Sequence, residues 1–413
     1  MTTNSMSGGA AKPAINRMTK CVMLAGGVLS GIALIGVTAV LPQIEADLAR
    51  SATDKLLVKL LGPIIGLSMV VGAPLTGFLI DRLGARRIQI VACLTYTLAG
   101  TAGLYLASLD ALLASRLLVG FAAAAAVIVS MTLINRTFEG VERAKWMGFH
   151  ISTALVCALL AHPMLGLLGE LGWRWPFLIY IIGLPVAVAG MGLPRDQPVI
   201  ASPTQSSPNL PPRQGWLRWF PLRYIPLALI IGGIAYMPTV YFPYVVRGFG
   251  VTSPAIISLI LLADSAIGTI MAYFYGFSQR FISTRTAFIF SFICTGLGML
   301  IVSLSSSLGG LIAGMMVYGL GIGWFTPNLM TAVSNNVSRD EQARAVGIIK
   351  AAHFISAPAA ILAVEPITRL TGPMGSVWAG AGLSLLAVVL LMIRLSGAAL
   401  PGRLLADEGV LAE

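Results

Sequence analysis

Asp264 is the one charged residue in the apolar run 255–278. A carboxylate in hydrocarbon is costly as an anion and tolerable as an acid, so it is suited to picking up and releasing a proton. His162, in the run 146–169, could carry a proton or hold a ligand. Lys350 and His353 fall one helical turn apart in the run 345–368, hence on one face. An ammonium there either favours an anionic partner or snorkels to the near surface. Arg116, in the run 111–134, is placed about six residues, roughly 9 Å, from the end of its run, and snorkelling is an alternative for it too. Tyr236 and Tyr241 in the run 224–246, and Trp324 and Asn328 in the run 309–333, offer aromatic and amide contacts to a solute, or packing. These types suit proton movement and solute binding better than bond-making. His150, His162 and His353 with Asp264 lack catalytic spacing, and no H-E-x-x-H occurs. A polytopic membrane enzyme is therefore the remote alternative. The four cysteines, Cys21, Cys93, Cys157 and Cys294, are scattered singly, with neither metal nor disulfide spacing. No cofactor and no metal are expected.

The elements that must position these groups follow from composition. Of 413 residues, 57% are hydrophobic and 10% charged. A soluble domain carries roughly 25% charged residues, and a membrane span needs about 20 apolar ones. Twelve runs fit: 22–41, 58–80, 88–107, 111–134, 146–169, 176–193, 224–246, 255–278, 286–306, 309–333, 345–368 and 375–395. Each is continuously apolar rather than alternating, so helices are predicted, not barrel strands. The net charge of +11 needs no nucleic acid. With the N-terminus inside, most Lys and Arg fall in inner loops, the bias of a multi-pass membrane protein. Both termini are thus predicted to be cytoplasmic. Residues 1–20 are polar and the first apolar run can span, so no cleavable signal is read. The sequons at Asn135 and Asn336 fall in predicted inner loops and are read as chance. No G-x4-G-K-[ST] loop is present, which argues against an ATP-driven pump.

Between the second and third runs lies Gly77-Phe-Leu-Ile-Asp81-Arg82-Leu-Gly84-Ala-Arg86-Arg87. A weakened copy recurs later. Gly77 falls on Gly276 and Arg86 on Arg285, while Arg280 and Ser283 replace Asp81 and Gly84. At the same offset Gly120 falls on Gly319, and the segment from Glu142 to Gly148 on that from Glu341 to Gly347. Three matches at one offset argue for a duplicated six-helix unit. The proline- and serine-rich stretch 194–223 reads as a cytoplasmic linker between the copies. The predicted organisation is an N-terminal tail 1–21, a six-helix bundle 22–193, the linker, a second bundle 224–395 and a C-terminal tail 396–413.

The pattern G-x3-D-R-x-G-x-R-R resembles the loop between helices 2 and 3 of the major facilitator superfamily of secondary transporters. The resemblance covers about 20–395 and implies an all-α fold of twelve transmembrane helices in two bundles. It implies alternating access to a site near mid-membrane. Asp81 would be the gate acid facing the start of helix 11, near Arg344, supported by Gly77, Arg82, Gly84, Arg86 and Arg87. Arg116 and Gly120 resemble the R-x3-G motif of proton-coupled members, which implies a link of Arg116 to proton transfer; Arg116, Asp264 and His162 are the candidate proton-coupling residues. Two departures weaken a drug-antiporter reading. Helix 1 carries no acid between 22 and 41, and helix 5 has His162-Pro163 where the antiporter signature has glycine-proline. The expected function is secondary transport of a small organic solute, coupled to protons, by a monomer in a bacterial-type inner membrane. Uptake of an organic anion and efflux of a drug or metabolite stay open. Lys350, His353, Tyr236, Tyr241, Trp324 and Asn328 are the candidate cavity residues.

Overall fold

The computed structural model describes residues 16–194, 224–279, 281–335 and 342–393. The expected linker and both tails lie almost wholly outside these residues. Among the described residues there is no strand. The chain runs α1 (Arg17–Ile35), α2 (Leu41–Leu48), α3 (Ala52–Leu60), α4 (Pro63–Leu83), α5 (Ala85–Gly100), α6 (Leu109–Thr137), α7 (Gly140–Glu170) and α8 (Gly183–Met191). It continues through α9 (Tyr224–Gly248), α10 (Pro254–Ser278), α11 (Thr284–Leu304), α12 (Leu308–Ser334), α13 (Gln342–Thr371) and α14 (Met374–Ile393).

Among the described residues, ten helical segments are long and apolar enough to cross a membrane. The expected third and sixth spans are also helical, but mixed. α5 passes into a 3₁₀ turn at Thr101–Leu104, and a 3₁₀ segment Trp175–Ile182 leads into α8. Continuous apolarity makes these segments helices, because in lipid each backbone group must bond within its own segment. Their starts are marked by hydroxyl caps: Ser253 accepts from Ile256 N–H, Ser283 from Thr286 N–H and Ser307 from Gly310 N–H. Large apolar side chains such as Val91, Leu98, Leu167 and Leu304 stand exposed, as lipid-facing residues must.

The described chain clusters into two compact units. One takes residues up to Gly36, Ser68–Ala158 and the stretch from Phe177. Inside it, Ser130 Oγ donates to the Val22 carbonyl at 2.6 Å and accepts from Gly26 N–H at 3.1 Å, fastening α6 to α1. Tyr96 O–H donates to the Leu29 carbonyl at 2.9 Å, fastening α5 to α1. The other unit takes Val37–Leu67, Leu159–Pro176 and the C-terminal helices. Its core includes Phe292 on α11 and Phe325 on α12, edge to face at 4.6 Å. The segments 37–67 and 159–176 come from the first expected half. Polar ties fasten them here: Lys59 to Glu365, and Ser253 with Ala255 N–H to Glu170.

Candidate functional site

The motif loop is a helix break that only glycine makes cheaply. Gly84 ends α4 and caps α5 with φ +83° and ψ 151°, a region nearly closed to residues with a Cβ. The turn leaves Asp81 exposed in the last turn of α4. Arg82 lies over the Phe78 ring at 4.1 Å. Arg87 is exposed, while Gly77 and Arg86 are half-buried. Asp81 forms no ion pair among the described residues. Its expected partner Arg344 opens α13 where side chains lie outside the description.

Arg116 does not snorkel. It is completely buried on α6. One terminal nitrogen donates to the carbonyls of Ala99 and Gly100, both at 2.8 Å. Those are carbonyls of the last turn of α5, where the regular i→i−4 ladder ends; the Ala99 carbonyl also takes the Thr101 N–H. The guanidinium also lies 4.9 Å from the Phe177 ring and 5.0 Å from Tyr180. Arg116 is thus a side-chain cap on α5, with its charge at the helix end that favours a cation. Arg116→Leu is expected to cost about 2–4 kcal/mol, because two buried charge-assisted hydrogen bonds to the end of α5 are lost. Thermal unfolding in detergent checks this. A midpoint like that of the wild type would reject the cap.

Asp264 lies half-buried on α10. α12 approaches it through Gly319, where an added Cβ would sit 2.6 Å from the Asp264 carbonyl oxygen. The repeat glycine therefore marks the closest helix approach beside the acid. His162 is buried on α7. One turn on, an added Cβ at Gly166 would lie 2.6 Å from the Ser258 side chain on α10. This close approach sets α7 against α10 within the second unit.

Tyr236 on α9 and His353 on α13 come together, with ring centroids 5.8 Å apart. Lys350 lies one turn before His353 on α13, exposed and without an ion pair among the described residues. The other three cavity candidates go elsewhere. Trp324 donates its indole N–H to the Met271 carbonyl at 3.0 Å. Asn328 accepts from Tyr275 O–H at 2.9 Å and donates to the Thr284 carbonyl at 2.9 Å. Both are buried and hold α12 to its neighbours. Tyr241 donates to Glu365 at 3.2 Å.

That last contact belongs to a cluster the sequence reading missed. Glu365 accepts from Lys59 at 2.8 Å and pairs with Arg369 at 3.4 Å. The Lys59 and Glu365 side chains are only 12% and 6% exposed, so this pair is screened far less than a surface one. Lys59 also lies 5.3 Å from the Tyr241 ring and 5.9 Å from Tyr244. Glu365 was visible as an acid within an apolar run, four residues before Arg369. Its partner on α3 was not.

Helices of this length and apolarity, with few and placed charges, define a multi-pass membrane protein. The comparisons narrow the class. Residues 23–361 match the profile of the Major Facilitator Superfamily, and the chain belongs to that family. The fold agrees. A crystal structure of a D-xylose–proton symporter superposes with TM-score 0.76 at 16% identity, covering 91% of this chain and 96% of that one. The nucleoside transporter NupG gives TM-score 0.72 at 15% identity, covering 92% and 100%. Among curated relatives, a multidrug resistance protein B homolog of Mycobacterium tuberculosis is 29% identical over 141 residues, 33% of this chain and 26% of that protein. A putative multidrug resistance protein MdtD of Cronobacter sakazakii is 32% identical over 125 residues, 30% of this chain and 26% of that protein. The chain spans about a quarter of the length of these relatives. The chain thus has the fold of this superfamily's membrane transporters.

Proposed function

We propose that this chain is a proton-coupled carrier of a small organic anion in a bacterial-type inner membrane, with both termini cytoplasmic. The observation that carries the reading is Lys350. Its ammonium is exposed on a spanning helix, has no ion pair among the described residues, and lies one turn before His353, whose ring meets Tyr236 of α9. A lone cation at membrane depth costs about 2.5–3.5 kcal/mol or more, and an anionic solute would supply the missing partner. Asp264 is the proposed proton carrier, with His162 nearby in sequence depth as a second candidate. Arg116 enters the scheme as a brace that holds α5. Asp81 would bias the equilibrium between the two access states from the motif loop.

Lys350→Gln is expected to weaken an anionic solute at least tenfold more than its neutral amide, about 1.4 kcal/mol of difference. Competition with paired acid and amide compounds reads this. Equal losses for both would reject the anion reading. The alternative is efflux of a drug or metabolite, favoured by the names of the curated relatives.

A further inference from the structure

We propose a second small-molecule site at the ends of α3, α9 and α13, shaped for a flat organic monoanion. It shares the anion of the reading above but none of Lys350, His353 or Tyr236, so the two can fail separately. A cavity of about 560 Å³ lies there, entirely within the second unit. Sites for small organic ligands span about 300–1,000 Å³. Four basic side chains line it, Arg50, Lys55, Lys59 and Arg369, against two acids, Glu45 and Glu365.

The acids do not neutralise this excess. One Glu365 oxygen accepts from Lys59 at 2.8 Å, Tyr241 at 3.2 Å and Thr368 at 3.3 Å. The other accepts from Arg369 Nε at 3.4 Å. Glu365 is thus engaged through both oxygens, while Arg369 keeps its terminal nitrogens, and its side chain is 52% exposed. Glu45 stands at 4.0 Å from Lys55, a long pairing that leaves most of the ammonium's donors unused. Arg50 forms no ion pair among the described residues.

Arg50 is nonetheless held at the mouth. Its backbone N–H donates to Asp54 at 2.8 Å, and so does that of Ser51 at 2.9 Å. Ser51 Oγ accepts from Asp54 N–H in return at 3.1 Å, a capping box that starts α3. These bonds hold the Asp54 carboxyl below its ordinary range, chiefly the one from Arg50 N–H, so it remains a fixed anchor. The wall opposite is aromatic, made by Tyr241 and Tyr244. Guanidinium forks suit a carboxylate, and tyrosine faces suit a planar body. The geometry thus points to an aromatic carboxylate rather than a sugar or a cation.

The probe is benzoate, with benzamide as its neutral twin, titrated calorimetrically into the purified full chain in lipid-free micelles. Arg50 and Lys55 are exposed, so Arg50→Gln with Lys55→Gln leaves the packing untouched, and size-exclusion elution confirms it. The expected result is at least a tenfold loss of benzoate affinity at one site in this double variant. Benzamide binding should not change, and Lys350→Gln should leave that site intact. Unchanged benzoate binding in the double variant would overturn the proposal, as would an equal loss for benzamide. Complete displacement of benzoate by phosphatidylglycerol would also overturn it, since the monoanion recognised would then be a lipid headgroup. If only Lys350→Gln weakens benzoate, the second site falls and the carrier site stands. If only the double variant does, the reverse holds.

Discussion

Asp264→Asn is expected to abolish solute accumulation driven by a pH gradient. Asp264 is a half-buried acid on α10, in a run with no other charge, beside the tight approach of Gly319. A carboxylate there has little water to stabilise its anion, so its charge state responds to whichever side of the membrane it faces. Asparagine keeps size and polarity and removes the exchangeable proton. Net transport against a gradient then loses its driving step, while solute-for-solute exchange needs no net proton movement and should continue. Measuring both in the same proteoliposomes separates them. Accumulation at the wild-type level would reject Asp264 as the carrier. Loss of both modes, with the protein correctly inserted, would place Asp264 in solute binding instead.

Asp81→Asn should lower transport about tenfold without lowering membrane insertion. Asp81 is exposed at the end of α4, set there by a glycine turn at φ +83°. In the expected gate Asp81 faces the start of α13, and a carboxylate at a helix N-terminus gains about 0.3–1 kcal/mol, and up to about 2 when partly buried. A bias of about 1–2 kcal/mol shifts a two-state ratio about 5- to 30-fold. Removing it should therefore leave a folded protein that stays too long in one access state. Transport rate at matched surface expression is the readout. A near-normal rate would make Asp81 a solvated loop acid and nothing more.

The sequence disclosed the class of this molecule better than its contacts. Long apolar runs become helices because lipid leaves the backbone no other donors or acceptors, so span positions were readable from composition. Spans three and six were read as plain helices, and the structure mixes them with 3₁₀ turns at Thr101–Leu104 and Trp175–Ile182. No local residue type announces that. Gly84 was legible, since a glycine between two helices implies a turn. Arg116 was not. The reading weighed a coupling residue against snorkelling, and its actual partners are the carbonyls of Ala99 and Gly100 on the preceding helix. Residue type says that a buried arginine needs acceptors, but not which. Trp324 and Asn328 show the same limit: both could face a solute, and both spend their polar atoms on neighbouring helices. Lys59 and Glu365 are 306 positions apart, a pairing that only the fold can make.

The central claim is that this chain moves a solute across a membrane by exchanging protons. Purified protein in sealed liposomes, with an imposed pH gradient and a labelled aromatic carboxylate, tests it most directly. The account predicts accumulation of the unmodified carboxylate, collapse when a protonophore is added, and a matching proton flux seen with an entrapped pH dye. Carboxylate flux that ignores both the gradient and the protonophore would contradict proton coupling. A carboxylate that never crosses, while a neutral or cationic amphipathic compound does, would contradict the anion reading and transfer the function to efflux.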